Sequence, residues 1–270
     1  ISTGGSKQAS ASRLNKRLQI RPQNSFMRRK PLIELLLVLG VSLGSSAIYS
    51  VLSLLRSVTS SQGLANSQVT LNRSFAENQW VDLGYQIAGF VFPLVPVLLV
   101  IYLLKLNGSV SDQLGLSKNY LGKDSLIGLG LTAAIGIPGI ALYLLARANG
   151  LAAEVVIDSI AERWWEIPVL ILNAAEASIL EETIAVGFLF IQLRKLGVSE
   201  KSIIFISATL RAFYHLYQGF AGLIGNLLMG IIFGYLYSKL GRLTPLLVAH
   251  FLMDVFVFIA GPAFLIWIGS

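Results

Sequence analysis

The chain alternates long apolar runs with short polar segments, and the runs lack the polar face that a helix of a soluble protein carries. A transmembrane helix needs about 20 predominantly apolar residues to cross a bilayer. Runs of about this length lie at residues 32–55, 84–105, 125–146, 167–193, 202–218, 221–239 and 243–267. The pattern therefore predicts an all-α, polytopic membrane protein with about seven transmembrane helices.

Composition excludes the main soluble alternatives. The 270-residue chain is 54% hydrophobic and 13% charged, and its mean hydropathy is +0.70, whereas soluble domains carry about 25% charged residues. We expect no nucleic-acid partner despite the formal net charge of +7, because the charges lie between apolar runs. The chain has no cysteine, which excludes disulfides, thiol nucleophiles and thiolate metal sites.

Basic residues mark alternate connections between the runs. Residues 1–30 hold eight of them and no acidic residue, and further clusters lie at 105–124, 194–201 and 239–242. By the positive-inside rule, these segments face the cytoplasm. We therefore expect a multi-pass plasma-membrane protein with a cytoplasmic N-terminus. A disordered basic tail at 1–30 would contact anionic lipid, and a single transmembrane domain would occupy 31–270.

Ionisable residues concentrate in the later runs, between residues 170 and 258. An ionisable group inside hydrocarbon costs at least a few kcal/mol, so it is kept mainly where it pairs, lines a wet cavity or takes part in chemistry. Carboxylates and imidazoles gathered from three helices can activate a water molecule and stabilise an oxyanion. The candidate site residues are Glu181, Glu182, Arg211, His215, His250 and Asp254.

Spacing indicates how these side chains point. Residues four apart share a helix face, so Arg211 and His215 project together. Adjacent Glu181 and Glu182 point about 100° apart, so one can face a cavity while the other is held by a neighbouring helix.

Other residues of this region have plainer interpretations. Glu176 is interpreted as a packing or pore-lining acid, and Tyr214 and Tyr217 as packing or interfacial aromatics. Gly230 and Gly234 have the spacing that allows close helix contact.

Three short motifs in order carry a resemblance to a known family: Glu181-Glu182, Arg211-Ala-Phe-Tyr-His215 and His250-Phe-Leu-Met-Asp254. Together they resemble the CAAX protease and bacteriocin-processing family, also called the Abi family. Its members are glutamate-type intramembrane proteases related to the Rce prenyl-protein endopeptidases. The resemblance implies hydrolysis of a peptide bond in a membrane-associated peptide or protein, with no covalent intermediate, no cofactor and no required metal.

The resemblance also implies a role for each motif residue. Glu181 would be the general base that activates water, and His215 would share that task. Glu182 would be a partner or structural carboxylate. His250 and Asp254 would correspond to the pair on the oxyanion side. A desolvated glutamate and an imidazole suit these tasks chemically.

Two departures from the family pattern affect this interpretation. Val186 stands where an arginine usually follows the two glutamates, and Arg211 stands where an aromatic residue is common. Our hypothesis is that Arg211 supplies the missing guanidinium from another helix and pairs with the glutamates. The other departure is Asp254 in place of asparagine. An ionised aspartate would repel an oxyanion, so we expect Asp254 to orient His250.

Three alternatives stay open from the sequence. The chain could be a catalytically inactive family member that acts as a membrane scaffold or bacteriocin-immunity protein. It could be a transporter whose buried acids and histidines relay protons. The two glutamates and two histidines are also plausible metal ligands.

Overall fold

The computed structural model describes residues 25–61, 63–71, 73–157 and 163–261. It is 80% helical with almost no sheet, which confirms the predicted all-α membrane fold. Most of the predicted basic tail, residues 1–24, lies outside the described residues, and residues 25–30 belong to the first helix. The predicted disorder and lipid contact of that tail therefore stay predictions.

Eleven α-helices and two short strands are found in the described part of the chain. The helices are α1 (Ser25–Gly40), α2 (Leu43–Thr59), α3 (Gln79–Val91), α4 (Leu94–Lys105), α5 (Val110–Leu114), α6 (Leu121–Ala148), α7 (Glu166–Glu181), α8 (Leu189–Lys195), α9 (Glu200–Tyr214), α10 (Phe220–Leu240) and α11 (Thr244–Val255). Two π-helical segments also occur, Glu182–Phe188 between α7 and α8, and Phe256–Ala260 after α11. Strands β1 (Gln68–Leu71) and β2 (Glu154–Ile157) pair in parallel.

The predicted number of seven spans is not confirmed. Among the described residues, three helical stretches are long and apolar enough to cross a bilayer: Gln79–Lys105, Lys118–Ala148 and Phe220–Leu240. A fourth is added if Lys30–Gly40 and Leu43–Thr59, which are bent by 48° at their junction, form one broken span. The first run, predicted as one stretch at 32–55, is thus two helices.

The remaining runs fall short for identifiable reasons. The run predicted at 167–193 contains the two glutamates and Glu176, and such charged groups lower its hydropathy. Helix α9 has 15 residues, and the apolar helix Thr244–Ala260 is also shorter than a typical span. The charged site residues are therefore one reason why fewer than seven apolar spans are found among the described residues, because each charge lowers the mean hydropathy of its helix.

One end of the helical domain carries the basic connections, and we call it the basic end. Contacts there join three connections that are far apart in sequence. Arg242 Nε donates to Asp124 Oδ1 at 2.9 Å, although Asp124 is fully buried. The backbone N–H of Leu243 donates to the carbonyl of Leu114 at 3.2 Å. Arg194 and Ser238 both bind Glu200. The basic clusters at 105–124, 194–201 and 239–242 therefore lie together.

The opposite end carries the two strands, and we call it the sheet end. The turn after α9 is fixed there. Gly219 has φ +93° and bridges Ala152, and a side chain at Gly219 would meet the Leu151 carbonyl oxygen at 3.0 Å. The backbone N–H of Tyr217 donates to Ser50 Oγ on α2 at 2.6 Å. These contacts hold the C-terminal end of α9, where the motif histidine lies.

Close packing of α9 on α10 depends on a glycine. A Cβ built on Gly230 would lie 2.6 Å from the Cα of Ala208, and one on Gly234 would lie 3.2–3.4 Å from side-chain atoms of Ile204 and Phe190. Small residues let helix backbones approach closely in membrane proteins. The Gly230 and Gly234 spacing noted in the sequence therefore lies at a helix–helix contact.

We expect Gly230→Val to destabilise the protein by about 1–3 kcal/mol, because the added carbons overlap the α9 backbone. Gly130→Val on α6 is the matched control, since a Cβ there meets nothing within 4 Å. Thermal unfolding of both variants in detergent checks this. Equal melting temperatures for the two variants would show that α9 and α10 do not pack as described.

Candidate active site

The two adjacent glutamates lie where an α-helix changes to a π-helix. Glu181 is the last residue of α7, and Glu182 begins the π-helical segment that continues to Phe188. Every residue of that segment is buried. Single-turn π-helical insertions in α-helices are frequent at functional sites. The change of helix type occurs at the residues that the sequence singled out.

Arg211 on α9 bridges both glutamates. Its Nη1 donates to Glu181 Oε2 at 3.2 Å, and its Nη2 donates to Glu182 Oε1. The arginine is fully buried, and its guanidinium lies over the ring of Phe233 on α10, 5.4 Å from the centroid. A guanidinium offers five N–H groups in a planar fork, which allows one side chain to bind two carboxylates. The structure thus contains the pairing proposed from the sequence.

His250 on α11 joins the same cluster. Its Nδ1 lies 2.8 Å from Glu182 Oε1, and its Nε2 lies 3.4 Å from Asp254 Oδ2 and 4.0 Å from Glu181 Oε2. Both ring nitrogens therefore face carboxylate oxygens, which only accept hydrogen bonds when ionised. This geometry suits an imidazole that donates from both nitrogens. Asp254 lies beside His250, as expected for an orienting residue.

His215 lies at the end of α9, one turn after Arg211. Its Nδ1 lies 3.2 Å from the Arg211 backbone carbonyl. Because a carbonyl can only accept, Nδ1 carries the hydrogen, and in the neutral ring Nε2 is left with its lone pair. The ring contacts those of Tyr214 and Tyr217, with centroids at 4.7 and 6.3 Å. His215 is partly exposed, so Nε2 is a basic nitrogen held in a fixed direction.

Tyr214 is a site residue that the sequence interpretation missed. Its hydroxyl donates to Glu181 Oε2 at 2.7 Å, and its ring contacts His215. In the sequence Tyr214 was interpreted as a packing or interfacial aromatic. Its position three residues after Arg211, on the same face of a helix, was the available signal. It connects Glu181 to His215 through one side chain.

The two glutamates differ in access. Glu182 is fully buried, and its second oxygen, Oε2, has no hydrogen-bond partner. The Glu181 side chain is 13% exposed. Among the described residues, its contacts with Arg211, Tyr214 and His250 all use Oε2, so Oε1 has no hydrogen bond. Glu181 is therefore the glutamate that water can reach.

The structure brings the predicted site residues into one cluster within the helical domain. Direct contacts join Glu181, Glu182, Arg211, His250 and Asp254. His215 joins through the Arg211 carbonyl and the Tyr214 ring. The catalytic roles inferred for these residues stay predictions at this point.

The cluster also bears on metal binding. Glu181, Glu182 and His250 offer ligand atoms that all lie within 4.8 Å of one another. However, the guanidinium of Arg211 already binds both carboxylates, and a divalent cation at the same oxygens would be repelled by it. The donor set fits a metal ion only if Arg211 is displaced.

Taken together, the fold and the site define an all-α membrane protein with a largely buried cluster of carboxylates, histidines and one arginine. Residues 163–256 match the family model described as type II CAAX prenyl endopeptidase Rce1-like. This match covers about a third of the chain and confirms the resemblance drawn from the motifs. No curated protein and no solved structure matches the chain.

The hypothesis that Arg211 supplies the guanidinium missing at position 186 can be tested by substitution. Arg211→Ala should abolish activity and cost about 3–5 kcal/mol of stability, because it leaves buried carboxylates unpaired. Arg211→Ala combined with Val186→Arg should recover part of both. Val186 is fully buried in the same π-helical segment as Glu182. Thermal unfolding and substrate cleavage are the measurements.

Arg211→Lys is the control for charge alone. It keeps the positive charge but cannot bind two carboxylates with a planar fork, so we expect a folded protein with strongly reduced cleavage. If the double variant Arg211→Ala, Val186→Arg folds normally but recovers no cleavage, Arg211 does not replace the arginine missing at position 186.

Tyr214→Phe tests the hydroxyl that binds Glu181. We expect a loss of roughly 0.5–1.5 kcal/mol of stability, the usual value of one hydrogen bond. Cleavage should fall in kcat with little change in KM, because the hydroxyl positions Glu181 and does not line the cavity described below. Tyr217→Phe is the matched control, since Tyr217 contacts His215 but not Glu181. Equal kcat in both variants would show that the Tyr214 hydroxyl has no role.

Proposed function

We propose that the protein is an intramembrane endopeptidase that hydrolyses a peptide bond in a membrane-associated peptide or protein with a water molecule activated by Glu181 and His215. The observation that carries the proposal is the geometry at Glu181. One oxygen is held by Arg211 and Tyr214 while the other is open to water, beside a histidine with a free basic nitrogen.

The proton of the attacking water needs an acceptor. Glu181 Oε1 and His215 Nε2 are open acceptors on described residues that are partly exposed, whereas the unpartnered Oε2 of Glu182 is sealed from solvent. Either can take the proton as the water oxygen attacks the carbonyl carbon, and the protonated group can then donate to the leaving amine. No side-chain nucleophile is required, so the reaction proceeds without a covalent intermediate.

The negative charge of the tetrahedral intermediate needs a donor. His250 Nε2 is the candidate, because Glu182 holds Nδ1 and thereby fixes the ring orientation. Asp254 Oδ2 lies on the Nε2 side at 3.4 Å, beyond the usual N–H···O distance of about 2.7–3.2 Å, so it can orient the ring while the Nε2 hydrogen stays available to the oxyanion. Asp254 thus acts through His250 and not on the substrate. Glu182 and Arg211 hold the reacting groups in place.

The location proposed for the protein follows from its basic connections. We place it in the plasma membrane with a cytoplasmic N-terminus, because the clusters at 105–124, 194–201 and 239–242 lie together at the basic end. The sheet end then faces the opposite side of the membrane. The basic tail would contact anionic lipid. No cofactor or nucleic acid takes part in this proposal.

A catalytically inactive member, acting as a membrane scaffold or bacteriocin-immunity protein, is the second candidate. The observation in its favour is that Glu181 is already bound by a guanidinium and a tyrosine hydroxyl. Both donors hold the carboxylate in one orientation, as expected for a structural residue.

The experiment that separates the two candidates compares Glu181→Gln and His215→Ala with the wild type. General acid–base catalysis contributes about 10²- to 10⁴-fold, so we expect each variant to lose at least about 100-fold in cleavage. An uncleaved precursor should accumulate in the membrane proteome of cells that carry either variant. Glu166→Gln, on α7 but outside the cluster, is the control and should process normally.

Folding is checked by thermal unfolding of each purified variant. If both site variants fold and keep the full cellular phenotype while no precursor accumulates, the chain is a scaffold and the endopeptidase proposal fails.

A further inference from the structure

A cavity of about 380 Å³ lies beside the cluster, within the size range of small-ligand pockets. It is lined from two sides. The segment after β1 contributes Arg73 and Phe75, and α3 contributes Tyr85. Helix α7 contributes Glu176 and Ala177, and other parts of the chain complete the wall. The cavity therefore extends from the helical interior toward the sheet end.

The cavity and the site are related through α7, which contributes residues to both. Ala177 lines the cavity and lies four residues before Glu181, so the two share one helix face a turn apart. Glu176 lies within electrostatic range of Glu181, Asp254 and His250. A peptide that reaches Glu181 from the sheet end can therefore place a neighbouring residue in the cavity.

Glu176 is the unusual group in the wall. Its Oε1 atom is buried and has no hydrogen-bond partner. No lysine, arginine or histidine of the described residues forms an ion pair with it. A buried carboxyl oxygen without a partner costs free energy that a bound donor can recover. The sequence interpretation of Glu176 as a packing or pore-lining acid leaves this unmet oxygen unexplained.

The remaining wall favours a cationic donor. Phe75 and Tyr85 stack on each other with ring centroids 5.5 Å apart, and aromatic faces attract ammonium and guanidinium groups. Arg73 is the cation among the described lining residues; it is exposed and lies over Phe75 at 4.8 Å from the centroid. It forms no hydrogen bond with Oε1 of Glu176.

We propose that this cavity is a substrate subsite that binds the side chain of a lysine or arginine, with Glu176 as its partner. This inference rests on the proposed endopeptidase function and adds a sequence requirement to it. Glu176 lies five residues before Glu181, an axial rise of about 7.5 Å in an α-helix. An extended peptide advances about 3.3 Å per residue, so the cationic residue lies about two residues from the bond that is cut.

Binding is measured without cleavage in the Glu181→Gln background. The protein is placed in nanodiscs of phosphatidylcholine, which is zwitterionic and does not attract lysine. The probes are three fluorescein-labelled decapeptides that are identical except for a central Lys, Gln or Glu. We expect the Lys peptide to bind about tenfold more tightly than the Gln peptide, a difference of about 1.4 kcal/mol. The Glu peptide should bind most weakly.

Glu176→Gln should remove this preference and leave the affinity for the Gln peptide unchanged. Glu77→Gln is the matched control, because Glu77 is an exposed carboxylate near the segment after β1 that does not line the cavity. It should keep the preference. Loss of the preference in both variants would mean that long-range charge and not the cavity attracts lysine, and the subsite would be excluded.

Cleavage of the same peptides by the protein with Glu181 intact separates the two proposals. Cleavage of all three at equal rates would overturn the subsite while supporting the endopeptidase. A preference for Lys that depends on Glu176, without cleavage of any peptide, would support the subsite and contradict the endopeptidase. No binding of any peptide would overturn the subsite.

Discussion

The structure depends on one guanidinium placed between two carboxylates inside an apolar helical domain. Arg211 is fully buried and binds Glu181 and Glu182 at the same time. Removing charges from water is expensive, and the attraction between them offsets that cost only when the partners are close and well oriented. Helix α9 must therefore pack against the junction between α7 and the π-helical segment. Without this contact, three ionised groups would be left in a low-dielectric interior.

The same contact makes two neighbouring glutamates chemically different. Adjacent residues on a helix point about 100° apart, so Glu182 turns toward Arg211 and His250 and is sealed from solvent. Glu181 turns partly outward and keeps one oxygen free. Of these two identical side chains, Glu182 therefore holds its partners in place and Glu181 is accessible to water. The histidines are divided in a similar way, since Glu182 fixes His250 while His215 keeps a free basic nitrogen.

The elements around the cluster hold its helices in position. Contacts at the basic end hold the connections together through ion pairs such as that of Arg242 with the buried Asp124. At the sheet end, β1, β2 and the Gly219 turn fix the end of α9 that carries His215. A cavity lies between the segment after β1 and α7, and Glu176 in its wall lies within electrostatic range of Glu181, Asp254 and His250. Contacts at both ends thus hold the helices that carry the cluster, while one side of α7 faces a cavity.

Sequence alone determined the all-α membrane fold, the alternation of basic connections and the six ionisable residues of the cluster. Local composition is sufficient for these, because the cost of burying charge makes any ionisable group in an apolar run stand out. The pairing of Arg211 with the two glutamates could also be predicted, because Val186 stands where the family pattern has an arginine. Tertiary structure decided the rest: the break in the first run, the parallel strands, the hydrogen bond from Tyr214 and the unpartnered oxygen of Glu176. These depend on which residues, distant in sequence, come into contact, and no local pattern specifies such contacts.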